Sequence, residues 1–301
     1  QELHSSPSIG ICLYPDDSTE ADELLKKADV AMYQAKASGK ANFQFFKEAF
    51  QLAVERRQAL EADLRRAVEQ RQFVLHYQPL FDLRTQCICG VEALVRWEHP
   101  ERGIVPPAEF IPMAEETGLI VRLGDWVLNE ACRQTAEWHK AGLDSLHVSV
   151  NLSPAQFGDP DLPARIDAVL SATGLSPESL GLEITESIAM ASPAETERVM
   201  RLIAQNGVRF SIDDFGTGYS SLAYLKQFPI QTLKIDRSFV ADIETDRNAA
   251  DICEISILLA HTLRMNVVAE GVETETQKRF LEGFGCETIQ GYLISEPLPA
   301  N

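Results

Sequence analysis

The chain has 301 residues, 45% of them apolar, and its 27 basic against 45 acidic residues give a net charge of -18. That acid excess disfavours non-specific contact with polymeric nucleic acid or an anionic membrane, and no run approaches the roughly 18 consecutive apolar residues of a membrane span. The six cysteines, Cys12, Cys87, Cys89, Cys132, Cys253 and Cys286, never take a CxxC spacing. This argues against a zinc ribbon or a disulfide framework and for reduced thiols in the cytoplasm.

The chain begins with Gln1 and enters the apolar run SIGICLY almost at once, so it reads as a piece of a longer protein. Residues 8–14 form a candidate strand. ADELLKKADVAMYQAKASGK carries Leu24, Leu25, Ala28, Ala31, Met32 and Ala35 at helical spacing and ends near Gly39, and NFQFF at 42–46 suits a second strand. Two strands and a helix bury too little for an independent core, so residues 1–46 are expected to be the tail of a domain. Residues 47–71 lack Pro and Gly and place Leu60, Leu64, Ala67 and Val68 on one stripe. They predict a connecting helix, with residues 47–59 as linker and residues 60–301 as the main domain.

Beyond it, β-type runs alternate with helical stretches. The candidate strands are 73–79, 88–97, 146–151, 180–185, 208–213, 232–235, 266–270 and 287–290. Eight strands with helices between most of them predict an α/β fold, a (β/α)8 barrel of the TIM type, rather than an open doubly wound sheet. The gap from Pro79 to Ile88 is too short for a helical crossover, so the first two strands are expected to pair antiparallel.

Barrel enzymes carry their sites at the C-terminal ends of the strands, and here those ends are polar. Glu92 lies in the second run, Asn151 closes the third, Glu183 is near the end of the fourth, and Asp213 and Asp214 close the fifth. Lys234, Glu270 and Gln290 end the last three. Singly, each has an ordinary structural explanation, such as a salt bridge, a cap or a core amide. Together, five carboxylates at one barrel mouth need cationic charge, and the chain offers Lys234 and Arg96 nearby. Oxygen donors without His or Cys favour Mg²⁺ or Mn²⁺ over zinc, and adjacent aspartates suit a two-metal phosphoryl-transfer site. The loop GTGYSS after Asp213 and Asp214 lacks the Lys of a P-loop and the third glycine of a dinucleotide fingerprint. It reads as an active-site loop hinged on the aspartates.

These motifs, in order YQP (77–79), EALVRW (92–97), NLSP (151–154), LEITES (182–187), DDFGTGYSSL (213–222), LKIDRSFV (233–240), AEGVE (269–273) and QGY (290–292), closely resemble the EAL-domain family of cyclic di-GMP phosphodiesterases. The first 46 residues resemble the end of a GGDEF diguanylate cyclase domain through SIGICLYPDD and ADVAMYQAKASGK, with Lys36 and Lys40 where that family contacts nucleotide phosphates. The GG(D/E)EF signature is absent, which excludes cyclase activity by this chain alone. The EAL resemblance implies hydrolysis of cyclic di-GMP to linear pGpG in bacterial signalling, with a catalytically silent cyclic di-GMP receptor as the alternative. By position, Glu92, Asn151, Glu183 and Asp213 would hold one metal and Asp213 and Asp214 the second, with Glu270 reached directly or through water. Lys234 would orient or deprotonate the attacking water, Gln290 would position water or metal shell, and Glu186 would anchor the glycine-rich loop. Gln78, Leu94 and Arg96 would contact substrate, Arg96 at its phosphate. The resemblance also implies inhibition by Ca²⁺ and a homodimer through the EAL domain.

Overall fold

A computed structural model describes residues 7–38, 41–218 and 221–300; the expected phosphate contact Lys40, and Tyr219 and Ser220 of the glycine-rich loop, lie outside the described residues. The chain divides into two units, Gln1–Glu69 and Gln70–Asn301.

In the first unit, β1 (Ile9–Ile11) and β2 (Phe43–Phe45) pair in parallel across a helix at Ala21–Ala37. Gly10 permits their close contact, because a Cβ there would stand 1.9 Å from the Ala28 carbonyl oxygen. Only small side chains, Ala31 and Ala35, are fully buried on this helix, while Ile9 and Phe43 are more than half exposed. A second helix runs unbroken over Glu48–Gln70 and buries Leu60, Leu64 and Ala67, three of the four residues on the predicted stripe.

The second unit contains β3 (Phe73–Asp82), β4 (Cys87–His99), β5 (Gly103–Val105), β6 (His147–Asn151), β7 (Leu180–Thr185), β8 (Arg209–Phe215), β9 (Thr232–Ile235), β10 (Asn266–Ala269) and β11 (Thr288–Ile289). Eight of them close a ring in the order β3, β11, β10, β9, β8, β7, β6, β4, with helices between the later strands. The reversed strand is β3, antiparallel to both β4 and β11. A tight turn makes this possible: the Asp82 carboxylate accepts the backbone N–H groups of Arg84 and Thr85 at 2.8 and 2.7 Å. The short β5 was not expected. It forms a hairpin with the far end of β4, outside the ring, and three residues are too few to show a period.

The strands alternate with period two. Outward residues Val148, Val150, Leu182, Ile184, Phe210, Ile212 and Leu233 are essentially inaccessible and form the core under the helices. Between them point Ser149, Glu183, Ser211 and Lys234, so the lumen is polar, unlike the branched apolar layers usual in such barrels. Strand ends also follow a rule. Two residues after Asn151, Glu183 and Lys234 come Ser153, Thr185 and Asp236, each the side-chain N-cap of the next helix. The caps halt the strands at the same level and bring the site residues to one layer.

Candidate active site

At the centre of that layer is the Lys234 ammonium, 1% exposed. Its Nζ lies 2.5 Å from Glu183 Oε2, 2.5 Å from Glu270 Oε1, 3.4 Å from Glu92 Oε2 and 3.5 Å from Asp213 Oδ1. The structure brings Glu92, Glu183, Asp213, Lys234 and Glu270 together at one level. The lysine, expected only to be nearby, lies in the midst of the acids. The carboxylates converge on the ammonium, and among the described residues no three His, Cys, Asp or Glu side chains close on one another as a preformed metal cage.

Amides complete the layer. Asn151 Nδ2 donates to Glu92 Oε1 at 2.6 Å, and Gln290 Nε2 donates to Glu92 Oε2 at 2.7 Å and to Gln78 Oε1 at 3.0 Å. Gln78 in turn donates from Nε2 to the Ser295 carbonyl at 3.2 Å. The antiparallel register explains the grouping, since Gln78 is paired with Glu92 across β3 and β4. Both ends of the Gln78 amide are thus engaged within the protein. The Gln290 Oε1 atom is buried with no hydrogen-bond partner among the described residues.

Five carboxylates, counting Asp214, share this neighbourhood with one ammonium, and their protonation shows the imbalance. Burial, with the charges of Glu92 and Asp213, raises Glu183 well above the ordinary carboxylate value despite Lys234. Burial, with Asp213 and Glu92, pushes Glu270 up to about 7 against the pull of Lys234. Glu92 is the exception: burial works to raise it, but Lys234 and hydrogen bonds from Gln290 and Asn151 outweigh burial and lower it. For Lys234 itself burial favours the neutral amine, yet Asp213, Glu183, Glu270 and Glu92 together raise its pKa well above the ordinary lysine value.

The paired aspartates are split by the backbone. The β8 to β9 register slips between Ile212 and Phe215, and Asp214 takes a left-handed conformation with φ 54°, its N–H bonded to Asp213 Oδ1 at 2.9 Å. The two carboxylates then face different neighbours. Asp213 turns to Lys234, while Asp214 is raised by burial and by the charges of Asp213 and Asp236. Asp236 was missed in the sequence, although the strand-end rule applied to β9 would have returned it, directly after Ile235.

Glu186 is 2% exposed at the start of the helix Glu186–Ala191. Its Oε2 accepts the Gly216 N–H at 3.2 Å, and a Cβ on Gly218 would stand 3.0 Å from Oε1. Both glycines of the loop thus have a steric or conformational reason, Gly216 also through its φ of 98°. Leu94, Arg96 and Asn151 line a cavity of about 440 Å³ beside this layer, floored by apolar residues including Ile111, Ile120 and Leu152.

Comparison with known proteins identifies the family. Residues 61–297 match the EAL domain family, and residues 1–42 match the diguanylate cyclase, GGDEF domain family. The chain belongs to the EAL-domain family and carries a short GGDEF fragment ahead of that domain. It is 45% identical over 299 residues to the bifunctional diguanylate cyclase/cyclic di-GMP phosphodiesterase MucR of Pseudomonas aeruginosa, covering 99% of this chain and 44% of MucR. It is 43% identical over 297 residues to the cyclic di-GMP phosphodiesterase NbdA of the same organism, covering 99% of this chain and 38% of NbdA. The chain therefore spans less than half the length of these relatives. A solved structure described as the PaMucR phosphodiesterase in complex with c-di-GMP superposes with a TM-score of 0.79 at 47% identity, covering 80% of this chain and 98% of that one.

Proposed function

We propose that this chain hydrolyses one phosphodiester bond of cyclic di-GMP to give linear pGpG, using two divalent ions, Mg²⁺ or Mn²⁺. The observation that carries the reading is the gathering of four carboxylates around a single ammonium, with the Asp214 carboxylate next to them, in a polar barrel mouth. The names of the relatives support the substrate.

The donor set fits the ions. It is made of oxygens, it is over-supplied with negative charge, and Gln290 Oε1 is a buried acceptor without a partner among the described residues. Glu92, Asn151, Glu183 and Asp213 would hold one ion and Asp213 and Asp214 the other, with Glu270 direct or through water. When bound, the ions supply charge for the phosphoryl group and lower the pKa of water. Lys234 orients the attacking water through its N–H donors, and Gln290 fixes that water or the Glu92 carboxylate. Arg96, beside the cavity, makes charge-assisted hydrogen bonds to a substrate phosphate, with Leu94 in the same groove. Gln78, expected from the sequence to contact substrate, is outside that lining and is held by Gln290 and the Ser295 carbonyl, so its role is to position the amide layer. Ca²⁺, with longer bonds and looser geometry, is expected to inhibit.

The test is to incubate the purified chain with cyclic di-GMP and Mg²⁺ and to chromatograph the products. A single new peak at pGpG is expected; intact dinucleotide that remains bound would instead establish the silent receptor. A second readout is independent of turnover. Because ions bound only to the folded state stabilise it by about 2.7 kcal/mol at a hundred times their Kd, Mg²⁺ should raise the thermal midpoint by roughly 5–10 °C. An unchanged midpoint counts against ion binding.

Glu186 anchors the loop that follows Asp214. Glu186→Ala is expected to raise the Mg²⁺ concentration for half-maximal activity several-fold and to leave the circular dichroism spectrum as in the parent. An unchanged Mg²⁺ dependence would leave Glu186 an ordinary buried acid.

The assembly is proposed as a homodimer through the EAL domain, supported by Ile255 and Leu258, 62% and 65% exposed on one helix at Arg247–Thr262. Sedimentation with parallel assays should show specific activity falling on dilution to monomer, and a fully active monomer would refute a role for the dimer. Within the chain we assign residues 1–46 to the GGDEF fragment, 47–59 to the connecting helix and 60–301 to the phosphodiesterase domain. No helix among the described residues is long and apolar enough to cross a membrane.

A further inference from the structure

The end of the barrel opposite the acid layer is hollow. Its inward positions hold Gly181, Ser149, Ser211 and Thr232, where barrels of this class place bulky branched residues, and the space left is a cavity of about 590 Å³. Glu183 forms part of its lining, so only the Glu183 and Lys234 layer separates it from the proposed phosphodiesterase site.

The rim carries both signs of charge, but they are not equally free. Asp82 accepts two backbone N–H groups of its own turn, and Glu287 accepts from the Val267 N–H and pairs with His261, each at 2.9 Å. Arg84 and Arg209, by contrast, are exposed and make no side-chain hydrogen bond or ion pair among the described residues. They stand on opposite sides of the ring, Arg84 on the β3 to β4 turn and Arg209 at the start of β8. His147 lies between β4 and β7 on the same rim; burial and the neighbouring Arg209 lower its pKa, leaving it a neutral hydrogen-bonding ring.

We propose that this cavity is a second ligand site, which takes a sugar phosphate or similar small phosphate monoester. The phosphate sits at the rim between Arg84 and Arg209, where charge-assisted hydrogen bonds are available. The neutral, hydroxyl-bearing body lies deeper, against Thr232, Ser211 and Ser149. An anion placed at the deep end would face Glu183, which sets the orientation.

Ribose 5-phosphate, inorganic phosphate and ribose, each titrated calorimetrically into the whole chain, test this. Ribose 5-phosphate should bind at least ten-fold more tightly than either fragment, and Arg84→Glu with Arg209→Glu should weaken it at least ten-fold with no change in the thermal midpoint. Arg96→Ala should bind it as the parent does, because Arg96 belongs to the other face. Inorganic phosphate binding as tightly as the ester overturns the proposed class of ligand. Loss of binding in Arg96→Ala, with retention in the double variant, places the ester in the phosphodiesterase site and overturns the second site. Failure of cyclic di-GMP hydrolysis would leave these titrations unaffected.

Discussion

Glu92→Ala is expected to lower the turnover of cyclic di-GMP by about 10²–10³-fold or more, the scale on which loss of one electrostatic stabiliser acts. The fold should survive with a change within roughly 1–2 kcal/mol, because two effects oppose. The substitution strands the Asn151 amide, which donates to Glu92 at 2.6 Å, while Gln290 keeps its bond to Gln78. It also removes one of the negative charges that raise Glu183 and Glu270. Product chromatography and a thermal melt on the same preparation check both halves. Turnover within ten-fold of the parent would remove Glu92 from the ion site.

Lys234→Ala should abolish turnover too, but with a different signature. Loss of the group that orients the attacking water is worth about 10²–10⁴-fold. Here the ion-free fold should also weaken, by about 3–5 kcal/mol, since truncating one partner of a buried charge cluster leaves the others uncompensated. Four carboxylates lie within 3.5 Å of that ammonium, and two of them are at 2.5 Å. Mg²⁺ should restore much of the midpoint and allow cyclic di-GMP to bind, which calorimetry would show as an affinity near the parent's with no product formed. Glu92→Ala and Lys234→Ala therefore both silence the enzyme while only the second destabilises the ion-free chain. A variant without Lys234 that turns over within a few-fold of the parent would exclude the lysine from the chemistry.

Much of this layer was legible before any coordinates. The period of two in VSVN, LEIT and FSID announces half-polar strands, and in NLS, EIT and KID the polar residue is followed two places later by a helix cap. That spacing determines which side chains reach the same level, so Asn151, Glu183 and Lys234 could be grouped from sequence. The antiparallel pairing of β3 with β4 also followed, from a gap too short for a crossover; that β3 is the strand reversed against the ring comes from its antiparallel pairing with β11. What could not be read was depth. Lys234 looks like one polar residue among several at strand ends, and only closure of the ring turns it inward to the centre of the acids. The left-handed Asp214 and the slipped register of β8 were equally hidden, because Asp-Asp has no sequence signature of a bulge. The hollow beneath was missed because Gly181, Ser149 and Ser211 drew no attention as small residues. Their inward positions become significant once the strands are in register.

Diffraction from crystals of the chain grown with cyclic di-GMP and Mn²⁺, recorded at the manganese absorption edge, tests most directly whether the surplus of carboxylates is an ion site. Two anomalous peaks are expected, one among Glu92, Asn151, Glu183 and Asp213 and one at Asp213 and Asp214. Ordered dinucleotide with Lys234 still bound to Glu183 and Glu270 and no peak within this layer would contradict the two-metal assignment.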